Sequence, residues 1–328
     1  MDYKLDKLRV LSMILVVVVH IANYYCRAYA QIGTLSFFVA ILLNSLARIS
    51  VPVFFMISGA LLLKKEYSSK KNVKRITEKI ACLVIITSIY LVWDRFVMAK
   101  DGTNLLSLIV KPERSMLWFM YVIIGIYIAL PFIKRMVDHL TPKEELLFVI
   151  LWAVFNGLLY FLHLSAAYPI PIINGAYYLG YFVLGHILYK NIHLFEKQRH
   201  NALLLIAGLL AVLTIAELSF LLSLYKNTYY DYFLGYRSAL MMIASVCAFV
   251  FIYLNSENKS NKVLAKLSEV SFGVYLVHGI ILDACMKLFP YRSVNAVFGI
   301  PVCLVIIFYL SFGIMCIIKK VPVLKRLF

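Results

Sequence analysis

Two residues with chemistry to offer, Arg9 and His20, stand eleven positions apart in the stretch LDKLRVLSMILVVVVHIANYY, which is otherwise apolar enough to cross a bilayer. On an α-helix, eleven residues turn through about 1100°, leaving about 20° of offset, and rise about 16 Å. The two side chains therefore share one face at two depths. Asp6, Ser12, Asn23 and Arg27 fall within about 60° of that face, and the opposite side is Val, Leu and Ile. A guanidinium offers a permanently charged fork that suits phosphate, and an imidazole can take and return a proton near neutral pH. The plain alternative for His20 is a buried histidine bonded to a neighbouring helix; the stripe it shares with Arg9 favours function.

Other ionisable groups inside apolar runs need a reason too, because each costs at least about 2.5 to 3.5 kcal/mol on insertion scales. His20 lies about 18 Å deep, and Arg48 lies about 24 Å from the cytoplasmic edge with Asn44 one turn away on its face. Arg237 comes to a similar depth, and Glu217 lies near the outer end of its run. Interhelical ion pairs that fix packing are the alternative role for these three. Pro52 removes the hydrogen bond to the carbonyl of Arg48, which invites a kink beside a cavity. Ser271, Tyr275 and His278 follow i, i+4, i+7 spacing and share a face, either as polar glue between helices or as part of a site. Trp118 and Tyr121 are aromatic-belt residues by default. The basic loop from Lys64 to Arg75 reads as a topology signal, an attraction for anionic lipid, or a seat for a polyanion.

The elements that must position these residues follow from composition. Of 328 residues, 63% are hydrophobic and 15% charged, with a mean hydropathy of +0.86, which excludes a soluble globular domain. The expected fold is an all-α polytopic membrane bundle of about ten spans, at about 8 to 26, 35 to 63, 76 to 97, 116 to 133, 146 to 162, 174 to 189, 202 to 221, 233 to 254, 270 to 288 and 296 to 318. The second run, about 29 residues, must be tilted or broken. The first is too long, and lacks the small-residue cleavage site, for a removable signal peptide.

The net charge of +17 is explained by its distribution. With the N-terminus inside, KKEYSSKKNVKR, KRMVDHLTPKEE, KNIHLFEKQR and the tail KKVPVLKRLF fall on one side with most of the lysines and arginines. The opposite loops hold Arg27, Lys100, Lys111, Arg114, Lys226, Lys287 and Arg292. The positive-inside rule then places both termini in the cytoplasm, and nucleic-acid binding is not expected. The six cysteines are scattered, so neither disulfides nor a metal site is expected. No long linker or internal repeat divides residues 1–328, which read as a single membrane domain with no extracellular catalytic domain.

Five motifs, in order along the chain, resemble the membrane acyltransferase 3 family, whose bacterial members acylate glycans and other envelope acceptors. They are DKLR followed by His20, with Asp6 in the acidic place; RISVPVFFMISGALLL from Arg48 to Leu63, with its Ser58-Gly59 turn signature; LWFMYVIIGIYIALP from Leu117 to Pro131; GYFVLGHIL from Gly180 to Leu188; and SFGVYLVHGIIL from Ser271 to Leu282. Such proteins often carry two arginines three apart where the third span begins. Here the run is Lys71, Asn72, Val73, Lys74, Arg75, and lysine lacks the bidentate fork.

The resemblance implies an O-acetyltransferase-like enzyme of the cell membrane that moves an acyl group from cytoplasmic acyl-CoA to a hydroxyl of an envelope glycan or lipid-linked saccharide. Acetyl is favoured over succinyl by family frequency alone. Arg9, Lys71, Lys74 and Arg75 would hold the donor phosphates while the pantetheine arm runs toward His20. His20 would act as general base, or as a covalent carrier, and Arg48 would position the carbonyl or stabilise the oxyanion. Trp118, Tyr121, Arg237 and Glu217 would meet the acceptor, with Asp6, Asn23, Asn44, Ser271, Tyr275 and His278 in support. No permanently bound cofactor is expected, and the oligomeric state is open. The competing class is a transporter or exporter of a glycan or small amphiphile, which the lack of an inverted repeat disfavours.

Overall fold

A computed structural model describes residues 2–99, 108, 112, 114–161 and 171–327. Its described residues form twelve α-helices and no strand: α1 Tyr3–Arg27, α2 Thr34–Ala47, α3 Ser50–Leu62, α4 Ser69–Phe96, α5 Trp118–His139, α6 Pro142–Phe161, α7 Pro171–Lys190, α8 Gln198–Lys226, α9 Ala239–Leu254, α10 Lys262–Leu288, α11 Ala296–Ile318 and α12 Pro322–Leu327. Among the described residues, seven segments are long and apolar enough to cross a membrane: Thr34–Leu62, Ser69–Phe96, Ser115–His139, Gln198–Lys226, Tyr232–Leu254, Lys262–Leu288 and Ala296–Ile318. The other three predicted runs correspond to helices α1, α6 and α7. On α8 and α11 the exposed side chains include Leu209, Leu210, Leu213, Val302, Val305 and Leu310, an outer surface suited to lipid.

Helix α1 sits inside the bundle, packed on α2, α3, α10 and α11. Asp2 caps it by accepting from the N–H groups of Lys4 and Leu5 at 3.1 and 3.2 Å. The other Asp2 oxygen takes the hydroxyls of Tyr189 and Tyr253, so the helix start is tied to α7 and α9. Met13, Val17, Ile21 and Tyr25 are fully enclosed. Because its neighbours surround it, most of the polar stripe faces the bundle interior, where an intramembrane charge can find partners, while Arg27 at the helix end is exposed.

The long second run is broken. Helix α2 ends at Ala47 and α3 begins at Ser50, with Arg48 and Ile49 forming the junction. Pro52 has no N–H to return to the Arg48 carbonyl, so the interruption falls where the missing bond weakens the helix. Ser58-Gly59, expected as a turn, instead lies within α3. The glycine serves close packing: a Cβ there would sit 1.7 Å from the Phe182 carbonyl oxygen, and one at Gly185 would sit 2.1 Å from that of Met56. Helices α3 and α7 thus approach backbone to backbone in both directions. Arg237, placed by sequence inside a span, lies in the short link between the 3-10 turn Tyr232–Leu234 and α9.

Candidate active site

A cavity of about 250 Å³ joins Arg9 to His20. Val16 and Val19 of α1 line it with them, as do Phe54 and Ser58 of α3, Lys79 of α4, Trp118, Phe119 and Tyr127 of α5, Tyr236, and Ser271, Phe272 and Tyr275 of α10. The shared face read from helical spacing is therefore one wall of a real space. Most of the lining is apolar or aromatic, with few polar groups, the usual makeup of a small-molecule site.

At one end, Arg9 Nη1 donates to Asp6 Oδ1 at 3.2 Å and to Ser268 Oγ at 2.9 Å, and the Ser268 hydroxyl donates to the same Asp6 oxygen at 2.6 Å. Asp6 is 5% exposed, whereas the Arg9 side chain keeps 29% exposure. The carboxylate and serine hold the guanidinium by one corner while the rest borders the cavity. Lys79 brings a second cation to the same space, its ammonium 3.5 Å from the centroid of the Phe272 ring. Sequence reading missed Lys79, although the series Lys71, Arg75, Lys79 recurs every four residues along one face of α4.

At the deeper end, the His20 ring lies 5.1 Å from that of His278, centroid to centroid. Ser271 donates to the Ser268 carbonyl at 2.8 Å, and the Tyr275 hydroxyl donates to that of Met116 at 2.6 Å. The i, i+4, i+7 face of α10 thus brings Ser271 and Tyr275 to the cavity wall, with His278 behind His20.

Arg48 is not itself part of that wall. Its Nε donates to Asn44 Oδ1 at 3.0 Å, its Nη1 to the Leu234 carbonyl at 3.1 Å, and its guanidinium carbon stands 5.5 Å from the centroid of the Tyr236 ring. Asn44 and Asn23 meet through the Tyr229 hydroxyl, at 3.5 and 3.4 Å. The junction between α2 and α3 therefore holds a fixed positive charge behind the cavity-lining Tyr236.

The expected acceptor residues divide. Trp118 lines the cavity and lies against Tyr178 and Tyr236, with ring centroids 4.8 and 5.8 Å away. Tyr121 turns its hydroxyl to the Leu108 carbonyl at 2.6 Å. Arg237 lies 4.5 and 5.3 Å from the ring centroids of Tyr177 and Tyr160, and Glu217 is exposed on α8. None of these three lines the cavity.

The expected phosphate residues divide too. Lys71 and Arg75 line a second, basic cavity of about 380 Å³ with Lys65, Ser68 and Lys134. Lys74 does not; its side chain is 74% exposed, 3.9 Å from Glu78. Another cluster escaped the sequence reading: Arg114 pairs with Asp94 and, at 2.7 Å, with Asp283, which also accepts from the Tyr24 hydroxyl at 3.1 Å. It clamps α4, α10 and α1 to the turn before α5. Asp94 and Asp283 lie inside the predicted runs 76–97 and 270–288, but no local spacing ties either of them to Arg114.

The family model described as an acyltransferase domain, acyltransferase 3, matches residues 2–318. The chain belongs to the acyltransferase 3 family. With seven apolar segments of spanning length among the described residues, this member is a membrane acyltransferase. No curated protein and no solved structure matches the chain. Among the described residues, no group of three or more His, Cys, Asp or Glu side chains could hold a metal ion.

Proposed function

We propose that this acyltransferase moves an acyl group, acetyl in the first instance, from cytoplasmic acyl-CoA to a hydroxyl of an envelope glycan or lipid-linked saccharide. The single observation that carries the reading is the shared cavity, with cations at one end and an imidazole at the other. Arg9 and Lys79 hold phosphate, supported by Lys71 and Arg75 in the neighbouring basic cavity, and the pantetheine arm fills the apolar stretch between Arg9 and His20.

At the deep end, His20 takes the proton from the acceptor hydroxyl as its oxygen attacks the thioester carbonyl carbon. The tetrahedral intermediate then expels the coenzyme A thiolate, which recovers that proton from the imidazolium. Arg48 contributes a fixed positive field from behind Tyr236 as negative charge grows on the carbonyl oxygen. An acyl-histidine intermediate would use the same residues in two steps. Trp118 supplies an aromatic face for the acceptor, and Arg237, which lies against Tyr177 and Tyr160, is assigned to the acceptor's approach. Ten spans with both termini cytoplasmic complete the proposed arrangement in the cell membrane.

The test uses purified full-length protein in lipid nanodiscs, acetyl-CoA, and envelope glycan from a strain lacking the gene. Thiol release with a gain of acetyl on the glycan is the expected result. Counterflow of a saccharide in proteoliposomes, with no thiol release, would instead assign a transporter.

A further inference from the structure

His278 makes one hydrogen bond that fixes its chemistry. Its Nδ1 lies 2.5 Å from the Tyr275 carbonyl oxygen, and a carbonyl can only accept, so Nδ1 carries the proton. A neutral imidazole has one N–H, which leaves Nε2 as a bare acceptor. Among the described residues that nitrogen has no hydrogen-bond partner, and its side chain has no exposure at all. An unpartnered acceptor at such a place is costly to keep. Its neighbour is the His20 ring, 5.1 Å between centroids and tilted by 40°. His20 lines the cavity and His278 does not.

We propose that His278 is the positioning residue for His20: its Nε2 accepts the His20 N–H and so presents the other His20 nitrogen, unprotonated, to the cavity. The contact forms by rotation of the His20 ring, whose plane is tilted 40° from that of His278. The chain of polarity then runs from the Tyr275 carbonyl through His278 to His20 and ends at the acceptor hydroxyl. When His20 takes the hydroxyl proton it becomes an imidazolium, and its second N–H is already held by Nε2. No proton leaves the pair, since the departing thiolate recovers the one that arrived. This rests on the acyl-transfer reading above, and it adds a reason for the second histidine that the reading does not need.

The two nitrogens of His278 can be tested separately, because an asparagine amide reaches the Nδ1 position and a glutamine amide reaches the Nε2 position. His278→Gln keeps an acceptor facing His20. His278→Asn keeps only the donor to Tyr275. With acetyl-CoA as the probe and thiol release as the readout, His278→Gln is expected to hold kcat within about tenfold of wild type. His278→Asn is expected to lose about 10²-fold in kcat with KM for acetyl-CoA unchanged, the lower end of a general-base contribution. Equal kcat in the two variants, or a loss that falls on KM, would overturn the proposal and leave His278 as a packing residue. Absence of thiol release in the wild type would instead overturn the acyl-transfer reading.

A second measurement covers variants that fold poorly. In 15N NMR of histidine-labelled wild-type protein in bilayers, His278 is expected as the Nδ1–H tautomer and His20 as a single tautomer. A mixture of tautomers at His20 would overturn the proposal.

Discussion

Replacing Arg9 by alanine should weaken coenzyme A binding by about tenfold to about 150-fold. Among the described residues, both hydrogen bonds of the guanidinium, to Asp6 and Ser268, use Nη1, which leaves its other N–H groups for a ligand. A hydrogen bond to a charged group is worth about 1.5 to 3 kcal/mol, and about 1.4 kcal/mol is a factor of ten in affinity. Since Arg9 keeps 29% exposure, solvent screening places the effect in the lower half of that range. The substitution also leaves the buried Asp6 carboxylate beside the phosphates without its cation, which adds repulsion in the same direction. Arg9→Lys keeps the charge and loses the fork, so it should recover only part of the loss. Titration calorimetry of coenzyme A into the purified full-length variants measures this directly. An unchanged dissociation constant in Arg9→Ala would refute the reasoning and leave Arg9 as the partner of Asp6 alone.

His20→Ala should cut turnover by about 10² to 10⁴ while expression and membrane insertion stay near normal; turnover within tenfold of wild type would remove it as general base. Arg75→Ala should weaken coenzyme A binding, whereas Lys74→Ala should not, because only Arg75 lines the basic cavity; equal losses in the two calorimetric titrations would count against the assignment. Gly59→Val places a side chain where a Cβ already meets the Phe182 carbonyl, and overpacking of this kind costs about 1 to 3 kcal/mol. Thermal unfolding in detergent should show a lower midpoint, and a wild-type midpoint would mean that α3 and α7 are not in backbone contact.

The stripe of Arg9 and His20 was legible because both lie on one helix, where spacing alone fixes the face. Apolar runs marked the helices for the same reason, and the Pro52 effect located the weak point beside Arg48. What could not be read was anything set by how helices meet. Lys79 and Tyr127 reach the cavity only because α4 and α5 pack where they do. Lys74 carries the right charge on the wrong face of α4, and one residue of register separates it from Arg75. Gly59 looked like a turn, since the carbonyl of Phe182 that demands a glycine there belongs to another helix. The pairing of Arg114 with Asp94 and Asp283 draws on distant segments and leaves no local pattern.

The central claim is that a donor held from the cytoplasmic side by Arg9 delivers its acyl group at His20 to an acceptor arriving from the other side. Sealed proteoliposomes of known insertion orientation, with acetyl-CoA on the cytoplasmic face and an impermeant envelope glycan supplied to one side at a time, test it in one measurement. Acetylated glycan is expected when the glycan is on the face opposite the acetyl-CoA. Product formed only when both share the cytoplasmic compartment would contradict the account and place the transfer on that face.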